Sequence, residues 1–127
     1  MIHTLTTEDG LELQLTRLGD PSKPPLLLLH GASATSWTFR APEGLSFVKR
    51  AQRHFDLWLL DWRGSGLLAA DLVKTHRARD AVFTFDRVAY FDHPAALNYI
   101  AEHRPETSIS VYAHCAGAAT FARTIEL

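Results

Sequence analysis

With 127 residues, of which 46% are hydrophobic, the chain has the length of one globular domain or of part of one. Thirteen basic and fourteen acidic side chains leave a formal charge of −1, without a basic run, which argues against nucleic acid or an anionic membrane as a partner. A single cysteine excludes an internal disulfide, so we expect a reducing, cytoplasmic environment. The N-terminus lacks the features of a signal peptide, and the longest apolar run, residues 26–29, is too short to span a membrane.

Alternating or continuously apolar runs predict five strands, at residues 2–7, 11–18, 25–29, 55–61 and 108–113. The first two flank the turn Glu8-Asp9-Gly10 and predict a half-buried hairpin. The apolar runs 25–29 and 55–61 are typical of strands that are covered on both faces. Helices are predicted at residues 45–53, at residues 93–104 with Asp92 as the N-cap, and from residue 116 onward.

This order of elements predicts an α/β fold, in which an antiparallel hairpin leads into a mostly parallel sheet with helices on its faces. In such sheets the residues that carry chemistry lie at the carboxyl ends of the strands. Three conspicuous segments follow predicted strands directly: His30-Gly31, the run from Asp61 to Gly66, and Cys115. We therefore expect these three segments to meet at one edge of the sheet.

The residues around Cys115 have the pattern of a nucleophile elbow. The motif G-x-S-x-G places a nucleophile between a strand and a helix, and here Ala113-His114-Cys115-Ala116-Gly117 has Cys for Ser and Ala for the first Gly. Small flanking residues suit a sharp turn that brings the backbones of strand and helix together. A lone cysteine among small residues is also common as an inert, buried side chain, and that interpretation stays open.

These motifs resemble the N-terminal half of an α/β-hydrolase, over nearly all of residues 1–127. His30-Gly31 resembles the oxyanion loop of that superfamily, Asp61-Trp62-Arg63-Gly64-Ser65-Gly66 its D-x-R-G-x-G turn, and the segment around Cys115 its elbow. More narrowly, residues 6–10, 57–63, 92–96 and 113–118 are similar to the hydrolase-like domain fused to some bacterial glucose–methanol–choline (cholesterol-oxidase-like) oxidoreductases. In that group the elbow also reads His-Cys.

The resemblance implies that Cys115 attacks the carbonyl of a small-molecule acyl ester or thioester as a thiolate and forms an acyl-enzyme. The backbone N–H groups of Ala116 and Ala32 are the expected donors of the oxyanion hole. A supporting role is expected for His30, Gly31, Asp61, Arg63, Gly64, Gly66, Ala113 and Gly117. Neither a metal nor a cofactor is expected.

In this fold the catalytic acid and histidine follow the nucleophile in the chain. All seven histidines of this sequence precede Cys115, and Glu126 is the only acidic residue after it. We therefore expect the acid, the histidine and the substrate-binding cap to be absent from this chain. A domain truncated after the elbow helix is expected to be poorly stable and weakly active or inactive, as the product of a truncated or fragmentary coding sequence.

Two further function classes stay open beside a Cys-type hydrolase or a polyhydroxyalkanoate-synthase-like acyltransferase. The first is a non-catalytic hydrolase-like module that serves an oxidoreductase domain or partner. The second is dinucleotide binding, because Gly64-Ser65-Gly66-Leu67-Leu68-Ala69 matches G-x-G-x-x-G/A after a strand. Against dinucleotide binding, Asp61-Trp62-Arg63 lies between the apolar part of the predicted strand and these glycines, and no convincing strand with an acidic end follows about twenty residues later.

Overall fold

The computed structural model describes residues 1–42, 44, 46–63, 65 and 84–127. The five strands are β1 Ile2–Thr6, β2 Glu12–Leu18, β3 Pro25–Leu29, β4 Asp56–Asp61 and β5 Ser110–Ala113. The helices of four or more residues are a 3₁₀ helix Ser36–Phe39, α1 Phe47–Ala51, α2 His93–His103 and α3 Ala116–Ile125. A helical turn Phe85–Arg87 and a π-helical turn Val88–Asp92 lead directly into α2.

The strands form one sheet in the order β1-β2-β4-β3-β5. Strand β2 is antiparallel to both β1 and β4, whereas β3 is parallel to both β4 and β5. This architecture confirms the predicted α/β fold class, with its antiparallel entry and parallel part. Leu29, the last residue of β3, is in register with Leu60 and Ala113, so the loops after all three parallel strands leave the same edge of the sheet.

The two central strands, β3 and β4, are buried along their whole length, as their continuous apolar runs predict. Successive side chains point to opposite faces and join two separate cores. One core includes Leu27, Leu29, Trp58 and Leu60, with Ala96 and Ile100 of α2; the other includes Leu26, Leu28, Leu57 and Leu59, with Phe39 and Val48. Each fully buried leucine stabilises the fold by about 1.5–3 kcal/mol, so this pair of strands is a rigid support for the loops at their ends.

Two helix predictions differ from the structure at their starts. Asp92 is not an N-cap, since its backbone is helical (φ −73°, ψ −53°), its side chain makes no capping hydrogen bond, and the preceding residues are already helical. The N-cap of the whole segment is Thr84, whose side chain accepts a hydrogen bond from Arg87 N–H. Helix α1 is shorter than residues 45–53, because Ser46 caps it by accepting from Lys49 N–H. The carboxylate of Asp92 binds Arg63 instead.

Candidate functional site

Cys115 occupies a sharp turn between β5 and α3. Its backbone has φ +57° and ψ −126°, the conformation of the first central residue of a type II′ turn, which glycine favours. A residue with a Cβ pays about 1–3 kcal/mol for such a conformation and keeps it only where its surroundings enforce it. The thiol is exposed at the edge of the sheet. The predicted strand–turn–helix geometry is therefore present, with a reachable sulfur at its apex.

Direct backbone contact with the end of β3 enforces this turn. A Cβ added to Gly117 would collide with the carbonyl oxygen of His30 and lie 2.9 Å from that of Leu29, so α3 can begin here only with a glycine at this position. His114 N–H donates to the carbonyl oxygen of Leu29 at 3.0 Å, and Gly117 N–H donates to that of His114 at 3.0 Å. Ala113, the last residue of β5, is partly buried in the adjoining core.

The loop after β3 passes beside the thiol. A Cβ placed on Gly31 would lie 3.1 Å from the Cβ of Cys115 and 3.6 Å from its Sγ, so there is little room for a side chain between them. Ala32 is the next residue of this loop, and Ala116 is the first residue of α3. Neither the Ala32 N–H nor the Ala116 N–H donates a hydrogen bond to any group that the structure describes. Both are thus available to an acceptor outside the chain.

His30 anchors the start of this loop from inside the protein. Its Nδ1 lies 2.7 Å from the carbonyl oxygen of Gly31, which only accepts, so Nδ1 carries the proton and donates. Its ring stacks on Trp62 with centroids 4.9 Å apart, and Trp62 Nε1–H donates to the carbonyl oxygen of His30 at 3.1 Å. Burial lowers the pKa of His30, and the ring is fully buried. His30 is therefore a neutral packing residue in this geometry.

Asp61 fixes the far end of the same loop. It is the last residue of β4, and its carboxylate accepts from Ser36 N–H at 2.8 Å and from the Ser36 hydroxyl at 2.8 Å. The Ser65 hydroxyl donates to the same carboxylate at 3.3 Å. Ser36 begins the 3₁₀ helix and Thr35 caps it, so the buried Asp61, whose Oδ1 lies 3.9 Å from Nε2 of His30, holds the loop that contains Ala32.

Arg63 joins three separate segments below the sheet edge. Its guanidinium donates to Asp92 of the helical segment at 2.7 Å and to Asp9 of the β1–β2 turn at 2.9 Å, and its backbone N–H also donates to Asp92. Hydrogen bonds from Arg63 hold the pKa of Asp9 at about 2. Burial raises the pKa of Asp92, while the hydrogen bonds from Arg63 act against that rise. These contacts of Arg63 with Asp9 and Asp92 join separate segments of the fold and do not include Cys115 or the loop beside it.

Several of the predicted site residues are close to one another in the structure. Gly31 and Gly117 surround Cys115, and His30 and Asp61 hold the adjoining loop. Gly64 and Gly66 lie outside the described residues, and so does most of the run 64–69 on which dinucleotide binding was predicted.

Sequence reasoning missed Ser36 as the partner of Asp61, and it missed His93 and Thr120, which contact each other behind the elbow. No local pattern identifies these pairs, because each joins residues at least 25 positions apart. Within the described part of the chain, no three His, Cys, Asp or Glu side chains are grouped as metal ligands. No helix in that part is long and apolar enough to cross a bilayer.

The chain is similar to several lipases and esterases. It is 29% identical to human gastric triacylglycerol lipase (Homo sapiens) over 91% of this chain and 32% of the lipase, and 26% identical to Lipase lipl-3 of Caenorhabditis elegans over 94% of this chain and 33% of the lipase. The solved structure of the Pyrococcus furiosus esterase Pf2001 superposes with a TM-score of 0.70 at 19% identity, over 97% of this chain and 45% of the esterase. The chain has the fold of the α/β-hydrolase superfamily.

This α/β-hydrolase fold extends over nearly the whole chain, but the chain spans only about a third of the length of the curated lipases that it matches. No family model matches the sequence. In α/β-hydrolases the nucleophile is held on a sharp turn between a strand and a helix.

Proposed function

We propose that this chain is the nucleophile-bearing, N-terminal half of a single α/β-hydrolase domain that cleaves small carboxylic esters, with Cys115 as the nucleophile. The observation that carries this proposal is the backbone of Cys115, held at φ +57° in an exposed turn between β5 and α3. Strained residues of this kind cluster at functional sites, and an inert cysteine gains nothing from the strain. The similarity to lipases and esterases supports an ester as the substrate.

In the proposed reaction the Cys115 thiolate forms a bond from Sγ to the carbonyl carbon of the ester. The carbonyl electron pair moves to its oxygen, and the resulting oxyanion accepts hydrogen bonds from the N–H groups of Ala116 and Ala32. When the carbonyl re-forms, the C–O bond to the alcohol breaks, and the alkoxide leaves with a proton taken from water or from a general acid. Water then hydrolyses the thioester, which returns the thiol and releases the carboxylic acid. The positive end of the α3 dipole stabilises both the Cys115 thiolate and the oxyanion.

The proposed deacylation is slow in this chain. The superfamily order places the acid and the histidine after the nucleophile, and no histidine follows Cys115 in this sequence. His30, His93 and their partners are buried and committed to structural contacts, so neither is placed to activate water. We therefore expect the 127-residue chain to accumulate an acyl-enzyme rather than to turn over rapidly.

The test is the reaction of the purified chain with p-nitrophenyl butyrate. We expect a burst of at most one equivalent of nitrophenol per chain, and a butyryl group on the peptide that contains Cys115, found by mass spectrometry. Cys115→Ala should abolish both, and Ser108→Ala, an exposed residue ahead of β5, should abolish neither. A folded chain that gives no burst, or a burst that survives in Cys115→Ala, would overturn the proposal.

The second candidate function is a hydrolase-like module without catalysis that serves an oxidoreductase. The residue similarity to the domain fused to glucose–methanol–choline oxidoreductases favours it. The rate of Cys115 alkylation by iodoacetamide at pH 7 separates the two candidates. A nucleophile held at a helix N-terminus should react faster than glutathione, whereas a thiol without a catalytic role should react at the same rate or more slowly.

A further inference from the structure

A buried hydrogen-bonded link joins α2 to the first turn of α3. The Thr120 hydroxyl lies 2.8 Å from the carbonyl oxygen of Ala116 and 3.1 Å from that of Gly117. The same hydroxyl lies 2.8 Å from Nε2 of His93, the first residue of α2. Both side chains are buried, at 1% exposure for Thr120 and 0% for His93. The link therefore ends on the two residues that directly follow Cys115.

The arrangement determines which atom carries each proton. A hydroxyl has one proton, and the two carbonyl oxygens beside Thr120 can only accept, so the Thr120 proton points toward them. The hydroxyl oxygen must then accept from His93, which requires a proton on Nε2. Nδ1 of His93 is consequently unprotonated, and it has no hydrogen-bond partner among the described residues. His93 is thus a permanent donor to Thr120 through Nε2.

The environment keeps His93 neutral. Burial lowers the pKa of His93 to about 3, and repulsion from His30 contributes to the shift. The ring also packs edge-on against Trp62 at 6.2 Å and against Phe121 of α3 at 6.1 Å, which fixes its plane. Among the described residues no carboxylate offsets the charge of a protonated His93, so the ring stays neutral at pH values well above 3.

We propose that His93 and Thr120 are positioning residues of the elbow, which fix the peptide groups of Ala116 and Gly117 and thereby hold Cys115 in its strained conformation. The contacts with β3 restrain the turn from the strand side, and the His93–Thr120 link restrains it from the helix side. A second hydroxyl, that of Thr124, donates to the carbonyl oxygen of Ala89, so α3 is tied at two successive turns to the helical segment that includes α2. The inference rests on the proposed function only in treating Cys115 as the nucleophile.

The proton assignment is tested on the unmodified chain by NMR of the histidine ring nitrogens. We expect His93 to show a neutral ring with the proton on Nε2 from pH 5 to pH 9, without titration. A ring that carries its proton on Nδ1, or one that titrates near the ordinary value of 6.5, would overturn the proposal. This measurement needs no variant and no substrate.

The positioning role is tested by the rate of Cys115 alkylation with iodoacetamide. Thr120→Val keeps the shape but removes the hydroxyl, and we expect alkylation about threefold to tenfold slower, the loss that corresponds to one buried hydrogen bond. Thr120→Ser keeps the hydroxyl and should stay within about twofold of the wild type. Ile100→Val lowers stability by about 1 kcal/mol through the α2 core without touching the link, and it should leave the rate unchanged.

The outcomes separate the two proposals. Equal rates for Thr120→Val and the wild type, or an equal loss in Ile100→Val, would refute the positioning role. If the ester assay fails in the wild type but Thr120→Val still slows alkylation, the esterase proposal is wrong and the positioning role holds. If Thr120→Val does not fold, the NMR assignment in the wild type still decides whether His93 donates to Thr120.

Discussion

Replacing Cys115 by glycine should make the protein more stable. A residue at φ +57° and ψ −126° carries about 1–3 kcal/mol of backbone strain, which glycine does not. Glycine costs about 0.5–1 kcal/mol more backbone entropy on folding. The cysteine side chain is exposed, so little apolar burial is lost with it. The expected net gain in the free energy of unfolding is about 0.5–2 kcal/mol.

Urea unfolding followed by tryptophan fluorescence measures this gain, because Trp58 and Trp62 are fully buried in the folded chain. The midpoint should rise while the slope with denaturant stays constant, as expected when only the folded backbone changes. Cys115→Ala is the matched control that keeps a Cβ at the same φ, and its stability should stay within about 0.5 kcal/mol of the wild type. Ala119→Gly, at an exposed position inside α3, should lose about 1 kcal/mol.

The difference in stability between Cys115→Gly and Cys115→Ala shows whether the backbone at position 115 is strained. If Cys115→Gly is no more stable than Cys115→Ala, the turn stores no strain, and the argument for function from backbone conformation fails. If the gain appears, Cys115 lowers stability at the position where the proposed reaction needs a thiol. Both variants lack the thiol, so the stability difference between them is independent of catalysis.

Three further predictions concern Gly117, Asp9 and Ser36. Gly117→Ala should destabilise the fold by more than about 2 kcal/mol, since its Cβ meets backbone rather than a movable side chain; a loss below about 0.5 kcal/mol would contradict the close approach. Acid should weaken the fold as Asp9 protonates, because Arg63 lowers the pKa of Asp9 from 3.8 to about 2. The ionised Asp9 stabilises the fold by about 1–2 kcal/mol above pH 3.8, and this contribution disappears between pH 3.8 and 2. The loss should be absent in Asp9→Asn. Ser36→Ala should cost about 1–2 kcal/mol by removing one hydrogen bond from the buried Asp61 carboxylate and should slow acylation of the chain, whereas unchanged acylation would show that the loop does not depend on this anchor.

The fold was predictable from two kinds of sequence pattern, the continuous apolar runs and the small residues around Cys115. The apolar runs of β3 and β4 have no polar face, so only a strand covered on both sides suits them. The small residues around Cys115 predicted the elbow, because a Cβ at Gly117 has no room beside β3. The parallel pairing of β3 with β4 and β5 then brings the carboxyl ends of these three strands to the same edge of the sheet.

The buried polar pairs could not be predicted, because several partners were equally available in the sequence. In the sequence, Asp92 precedes a helix pattern and has the features of an N-cap. In the structure, its carboxylate accepts hydrogen bonds from Arg63, 29 residues earlier, instead of capping the helix. His93 has no distinguishing feature in the sequence, because its partner Thr120 lies 27 residues away. Such contacts depend on the packing of helices on the sheet, which local periodicity does not specify.

The elbow is held in two different ways, and this difference determines which substitutions it tolerates. On the strand side, the restraint is steric: a Cβ on Gly117 would meet backbone atoms of Leu29 and His30, and a Cβ on Gly31 would lie 3.1 Å from the Cβ of Cys115. On the helix side, the restraint is a pair of hydrogen bonds through Thr120, which serine can reproduce and valine cannot. The first restraint therefore admits almost no substitution, and the second admits those that keep the hydroxyl. A turn that combines both can hold Cys115 in an unfavourable conformation while its thiol stays open to solvent.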